Sequence, residues 1–198
     1  MSPQPEWGFA REVGGGYVVR LVEAERSVLA DVADQVIELL GGAQEVPAEQ
    51  LHPLQTVRLQ DGPVPVPLDG ALRRLLPDGS RGDPELAAEY RRLTEGDLRA
   101  TKTAQLGLLR ALLAEPDAVL TVADAPGVAA AMTDLRLVIA ERLGVQTEAD
   151  ADEVYELTLT GGETADAVES MRLLLATVST MLGILLESLI ELMTDELP

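Results

Sequence analysis

Hydrophobic positions change their period along this chain, and each change marks an element. Trp7, Phe9 and Val13 alternate with polar or small residues, Gly14-Gly15-Gly16 follows, and Tyr17, Val19 and Leu21 alternate again. Period-two patterning on both sides of a short glycine segment predicts a β-hairpin over residues 7–22. A phosphate cradle built from the three glycines would need a helix start directly after them. None follows, so neither a dinucleotide fingerprint nor a P-loop is available. From residue 23 the spacing becomes helical: Val28, Leu29, Val32, Val36, Leu39 and Leu40 recur at three- and four-residue steps, predicting a helix over 23–41 that Gly41-Gly42 stops. Residues 43–67 carry Pro47, Pro53, Pro63, Pro65 and Pro67 and read as a surface loop.

Leu68, Leu72, Leu75 and Leu76 predict a short helix over 68–76, ended by Pro77. Asp83-Pro84-Glu85 is a strong helix start: an Asp cap, a proline in the first helical position and an acid in the first turn. The apolar stripe Leu86, Tyr90, Leu93, Leu106, Leu109, Leu112 and Leu113 carries that helix over 83–114, with Gly96 and Gly107 as points where it could bend. Glu95 and Arg99 stand four apart, as on a solvated outer face. Asp124-Ala125-Pro126 opens a helix over 127–143 with the stripe Val128, Met132, Leu135, Val138, Ile139 and Leu143, ended by Gly144. Residues 146–164 read as an acidic connector with a short helix or turn around 154–157. The last helix, over 165–193, lines one face with Val168, Met171, Leu174, Leu175, Val178, Met181, Leu182, Leu185, Leu189 and Leu192. An arc so widely apolar is expected at the centre of a bundle, with a homodimer seam as the lesser option. These elements predict a mainly α, single-domain helical bundle with a small N-terminal β-hairpin.

Composition narrows the chemistry. The 198 residues are 46% hydrophobic but only 3% aromatic, so the core must be aliphatic. There is no cysteine and one histidine, His52, set before Pro53. That excludes a thiol nucleophile, a disulfide switch and a Cys/His zinc site. His52 has no visible second ligand or orienting partner and reads as a loop residue. The first six residues show no positive n-region and no apolar h-region. The longest uncharged apolar run, 173–186, is shorter than the roughly 20 residues a membrane span needs. A cytoplasmic, soluble protein without a membrane segment is expected.

The formal net charge is −19, unevenly spread. Residues 1–72 hold 4 Arg against 11 acids and residues 111–198 hold 3 against 17, whereas 73–110 hold 8 basic residues against 6 acids. Arg73, Arg74, Arg91, Arg92, Arg99 and Lys102, the chain's one lysine, are therefore candidate partner-binding residues. Pairing with neighbouring acids is the competing and weightier reading of the same block. Direct nucleic-acid binding is disfavoured, because the overall field repels phosphate. Asp134 and Arg136 are candidate members of a structural ion pair. Glu148, Asp150, Asp152, Glu153 and Glu156 lack the ligand alternation and central glycine of a calcium loop, so no metal and no cofactor is expected.

The order of Arg73-Arg74-Leu75-Leu76-Pro77, then Asp83 to Glu95, then Asp97-Leu98-Arg99 and Lys102 is distinctive. With Met132 to Leu137, Glu141-Arg142-Leu143-Gly144 and the closing Gly183 to Glu191, the chain resembles an actinobacterial family of domains of unknown function that includes the oxidative-stress transcriptional regulator AosR. The resemblance implies a role linked to a sigma factor, with oxidation sensed through a close cysteine pair. This chain departs from that pattern by having no cysteine, and carries Val128 and Thr133 where the family tends to have Trp and Asn. The expected function is thus a non-catalytic protein-binding module, its partner another protein within the transcription machinery. The alternatives are a DNA-binding regulator and a carboxylate- and metal-dependent enzyme.

Overall fold

Strands β1 (Gly8–Arg11) and β2 (Tyr17–Arg20) pair antiparallel in the register Phe9↔Val19 and Arg11↔Tyr17. The computed structural model describes residues 7–41, 64–80, 82–160 and 166–195. Most of the proline-rich stretch, His52 within it, and Arg81 lie outside the described residues. A two-residue strand, β3 (Val119–Leu120), joins the hairpin at β2 and makes a three-stranded sheet in the order β1-β2-β3. It explains one glycine of the turn. Gly16 has φ +89°, and a Cβ there would stand 2.5 Å from the Leu120 carbonyl oxygen, so only glycine lets β3 approach.

Among the described residues, six helices follow the hairpin or interleave with the third strand: α1 (Glu23–Leu39), α2 (Gly70–Leu75), α3 (Pro84–Ala114), α4 (Ala125–Leu143), α5 (Glu148–Thr160) and α6 (Ala167–Thr194). Their starts are chemically explicit. Val22 at the head of α1 has no side-chain acceptor, so half a capping box forms: Glu25 accepts from the Val22 N–H at 3.0 Å and is itself held by the Trp7 indole N–H at 3.1 Å. Asp69, Asp83 and Asp166 each accept two backbone N–H groups at the heads of α2, α3 and α6. Capping by Asp69 explains why α2 begins at Gly70 and leaves Leu68 outside it in solvent. Proline is tolerated in the first turn, so α4 starts at Ala125, two residues earlier than the apolar stripe indicates.

The core places α4 at the centre. Ala125, Val128, Ala131, Met132, Leu135, Val138 and Ile139 are all buried, and α6, α3, α2 and, more lightly, α1 pack around them. This corrects the expectation that the last helix is central. Small residues let four neighbours approach α4 closely, whereas an apolar stripe counts only large side chains. The last helix instead runs along the outside of α4, against β1 and α5, with Val178, Leu182, Leu185 and Leu189 as its seated face. One contiguous apolar cluster takes residues from the sheet and from every helix except α5.

Two further expectations are corrected. Residues 148–160 form one helix, longer than the short helix or turn expected around 154–157. Its head carries a Thr147/Asp150 box: the Asp150 carboxylate accepts the Gln146 and Thr147 N–H groups at 2.9 and 2.8 Å, and Thr147 Oγ1 accepts from the Asp150 N–H at 3.2 Å. In α3 the inward face is inverted along its N-terminal half. Leu86, Tyr90 and Leu93 face solvent, while Arg91 and Glu95 are buried at 9% and 6% exposure. Beyond Lys102 the same inward stripe turns apolar, with Leu106, Leu109 and Leu113.

Candidate functional site

The inversion of α3 exists because what packs on it there is polar backbone and an acid. The carbonyl of Leu40, at the C-terminal end of α1, accepts from Arg99 Nη1 at 2.9 Å. α1 has no basic residue in its last turn, so Arg99 supplies the cation its C-terminal dipole favours. Arg91 is held by the Asp78 carboxylate and reaches the Val64 carbonyl. Between the two arginines Glu95 pairs with Arg99 at 2.9 Å, and its other oxygen faces Arg91 Nε at 3.8 Å with no hydrogen bond of its own. A carboxylate so placed is tolerable only because a guanidinium flanks it on each side.

The structure accounts for most of the basic block internally. Arg74 pairs with Glu141 at 2.8 Å and donates to the Val145 carbonyl just past α4. Arg92 pairs with Glu89 at 2.7 Å on the outer surface of α3, and that guanidinium holds the Glu89 carboxyl below its ordinary range. Arg110 pairs with Asp34 of α1. Arg73 alone of the six candidate cations has no ion pair among the described residues, so the block is not an open cationic face. Lys102 reaches across to α4, its Nζ lying 2.6 and 2.8 Å from the two oxygens of Asp134.

Asp134 is therefore the buried acid of an ion pair, but its partner is Lys102 and not Arg136. Arg136 is exposed, and its guanidinium lies over Gly183 of α6, where a Cβ would stand 3.8 Å from Cζ. At the far end of α4, Arg142 bonds the Asp69 cap at 2.7 Å. That bond is the largest cause of a lowered Asp69 pKa, assisted by the Leu72 and Ala71 N–H groups and opposed by partial burial. The Asp150 carboxyl is lowered in the same way by the Gln146 and Thr147 N–H groups.

Open surface of a different kind lies at this end of the bundle. Val168, Met171 and Leu174 on the first turns of α6 are large, apolar and exposed, Val168 at 77% and Met171 at 55%. A groove of about 600 Å³ runs between α5 and α6, lined by Glu153, Glu156, Leu157, Val168, Glu169 and Arg172. A second groove of about 450 Å³, sharing Val168 and Arg172 with the first, is lined by Arg142, Leu143, Val168, Met171, Arg172 and Leu175. Acids line the first and apolar side chains dominate the second. Arg172 stands 4.0 Å from Glu153 across the first groove. No group of three or more metal-ligating side chains gathers among the described residues.

The candidate residues read from the sequence lie on α2, α3 and α4, and none lies at this end, where the acids of 148–156 read as a solvated connector and the last helix only as a possible homodimer seam. The signal that would have found α5 is the Thr-x-x-Asp spacing at 147–150. The signal for the open face is the α6 stripe itself, which runs longer than the α4 helix it packs on. By length and composition α6 is also apolar enough to cross a membrane, with a mean hydropathy of 2.0 over its most apolar window and 28% of that window buried. No curated protein and no solved structure matches the chain. Residues 6–193 match the model of a domain of unknown function, and the chain belongs to that family, DUF2017.

Proposed function

We propose that the protein is a cytoplasmic, non-catalytic protein-binding module that meets its partner at the α5–α6 end of the bundle. The observation that carries this reading is the exposure of Val168, Met171 and Leu174 on a helix whose seated stripe further along, Val178, Leu182, Leu185 and Leu189, is buried. Contiguous apolar surface of this kind marks an interaction site on a soluble protein. The internal pairing of Arg74, Arg91, Arg92, Arg99 and Lys102 moves the expected contact away from α3. Resemblance to the family of the oxidative-stress regulator AosR supports a partner in the transcription machinery, linked to a sigma factor. With no cysteine, such regulation would run without a thiol switch.

Affinity capture from the native host, read by mass spectrometry, tests the reading. Wild-type protein and an Arg73→Glu/Arg92→Glu variant are expected to recover the same partner in near-equal amount, and Met171→Glu to lose it. Recovery of no stoichiometric partner by any of the three, with or without cross-linking, overturns it.

A further inference from the structure

Helix α5 is held together more firmly than it is held to the bundle. The Gln146 and Thr147 N–H groups go to Asp150, the Asp150 N–H to Thr147 and the Thr158 hydroxyl to the Tyr155 carbonyl, all within the one segment. Towards the body α5 packs on α6. Val154 is its one buried side chain among the described residues, whereas Tyr155 and Leu159 stand in solvent. None of its residues joins the contiguous apolar cluster. Its ion pair to α6, Glu153 with Arg172, is 4.0 Å long and exposed on both sides, a geometry that stabilises little. The groove of about 600 Å³ between the two helices shows how incompletely they mesh.

What α5 covers lies away from the seated stripe of α6. Ala176 is fully buried yet outside the apolar cluster. Two residues from Val178, it points roughly 200° around the helix from that seated side chain. Arg172, four residues earlier and so on the Ala176 face, reaches Glu153 of α5, which puts α5 over Ala176. We propose that α5 is a displaceable strap: it opens from α6 while α1 to α4 and the seated stripe of α6 stay folded, and its opening uncovers the Ala176 face. A 13-residue helix is marginal in water on its own, so little but its docking on α6 keeps α5 in place. A unit with so little buried apolar surface sits at the low end of the local stabilities within a fold. Burial of Val154 and Ala176 favours the closed state. Opening adds the Ala176 face to Val168, Met171 and Leu174, which are exposed already, so this end of the bundle alternates between a smaller and a larger apolar surface. The inference goes beyond the binding-module reading and does not depend on it.

The test is amide hydrogen exchange on the full-length chain, read by mass spectrometry, in wild type, Ile139→Val and Val154→Ala. The α5 amides should show measurable protection, but at least about 100-fold less than those of α4. Ile139 is buried in the core of α4, and Ile139→Val should speed α4 exchange about fivefold while leaving α5 exchange unchanged, because the core is intact when the strap is open. Val154→Ala should speed α5 exchange about tenfold. Thiol labelling reads the uncovered face directly, since the chain has no cysteine of its own. Ala176→Cys should label at the rate set by α5 opening, faster with Val154→Ala and unchanged by Ile139→Val. Val154→Cys, close to the native volume, reads the same opening from the other side and stands in if Ala176→Cys disturbs the fold. Protection of α5 equal to that of α4, or α5 exchange that Ile139→Val speeds as much as it speeds α4, overturns the inference. So does an α5 without protection, which leaves no closed state to open. Labelling of a folded Ala176→Cys variant, or of Val154→Cys, that waits for α4 to open likewise overturns it.

Discussion

Lys102 Nζ sits between both carboxylate oxygens of Asp134, at 2.6 and 2.8 Å, and ties α3 to the central helix α4. Asp134 is 5% exposed, so this pair is largely removed from water at the junction where the polar half of α3 gives way to its apolar half. Lys102→Met leaves an uncompensated buried carboxylate and should cost about 3 kcal/mol in urea unfolding. The double variant Lys102→Met/Asp134→Leu, which removes both charges, should recover to within about 1 kcal/mol of wild type. A double variant as unstable as the single one would mean that the pair itself, and not the orphaned charge, carries the stability.

The inverted half of α3 makes a second prediction, opposite to the ordinary expectation for a helix. Arg99→Ala removes the hydrogen-bonded partner of buried Glu95 and the cation at the end of α1, and should cost about 2 kcal/mol. Leu93→Ser, on the exposed side, should change stability by no more than about 0.5 kcal/mol. Chemical denaturation of the two variants side by side checks the ranking.

At the head of α2, Asp69→Ala should cost about 1 kcal/mol through loss of the cap. The pH dependence follows from the direction of the shift. The Asp69 pKa is lowered in the folded state, so its contribution is present above the ordinary carboxylate range and is lost as pH falls through the depressed folded value. The difference in stability between wild type and Asp69→Ala should therefore shrink on acidification below about pH 4, which thermal melting across that range measures.

In the hairpin turn, Gly16→Ala places a Cβ against the Leu120 carbonyl at positive φ and should cost about 2 kcal/mol. Gly14→Ala meets no atom within 4 Å and should stay within about 0.5 kcal/mol of wild type. Thermal unfolding of both distinguishes a glycine that the third strand requires from one it does not.

Much of the architecture is readable from local pattern. Alternation around Gly14-Gly15-Gly16 marks the hairpin, and Asp83-Pro84 fixes the start of α3 to the residue, because capping is a property of a few adjacent side chains. What escapes is what depends on remote packing. Leu86, Tyr90 and Leu93 and the series Arg91, Glu95, Arg99 lie on opposite faces of one helix, and periodicity assigns the leucines inward. Only the arrival of the Leu40 and Val64 carbonyls and Asp78 reverses that. Two-residue β3 carries no periodic signal at all. For the candidate site, the charge of the basic block and its local pairs, Glu89 with Arg92 and Glu95 with Arg99, are visible in the sequence, but Glu141, Asp78 and Asp134 are not, since they are remote from the cations they meet. The α6 stripe was visible throughout; where its cover ends is set by the length of α4.

The most direct measurement is a photoreactive residue placed at position 171, and in parallel at 73 and 92, in protein expressed in its native host. Illumination should yield one dominant cross-linked partner from position 171, and none from positions 73 and 92. Cross-links concentrated at 73 or 92 with none from 171 would contradict the account.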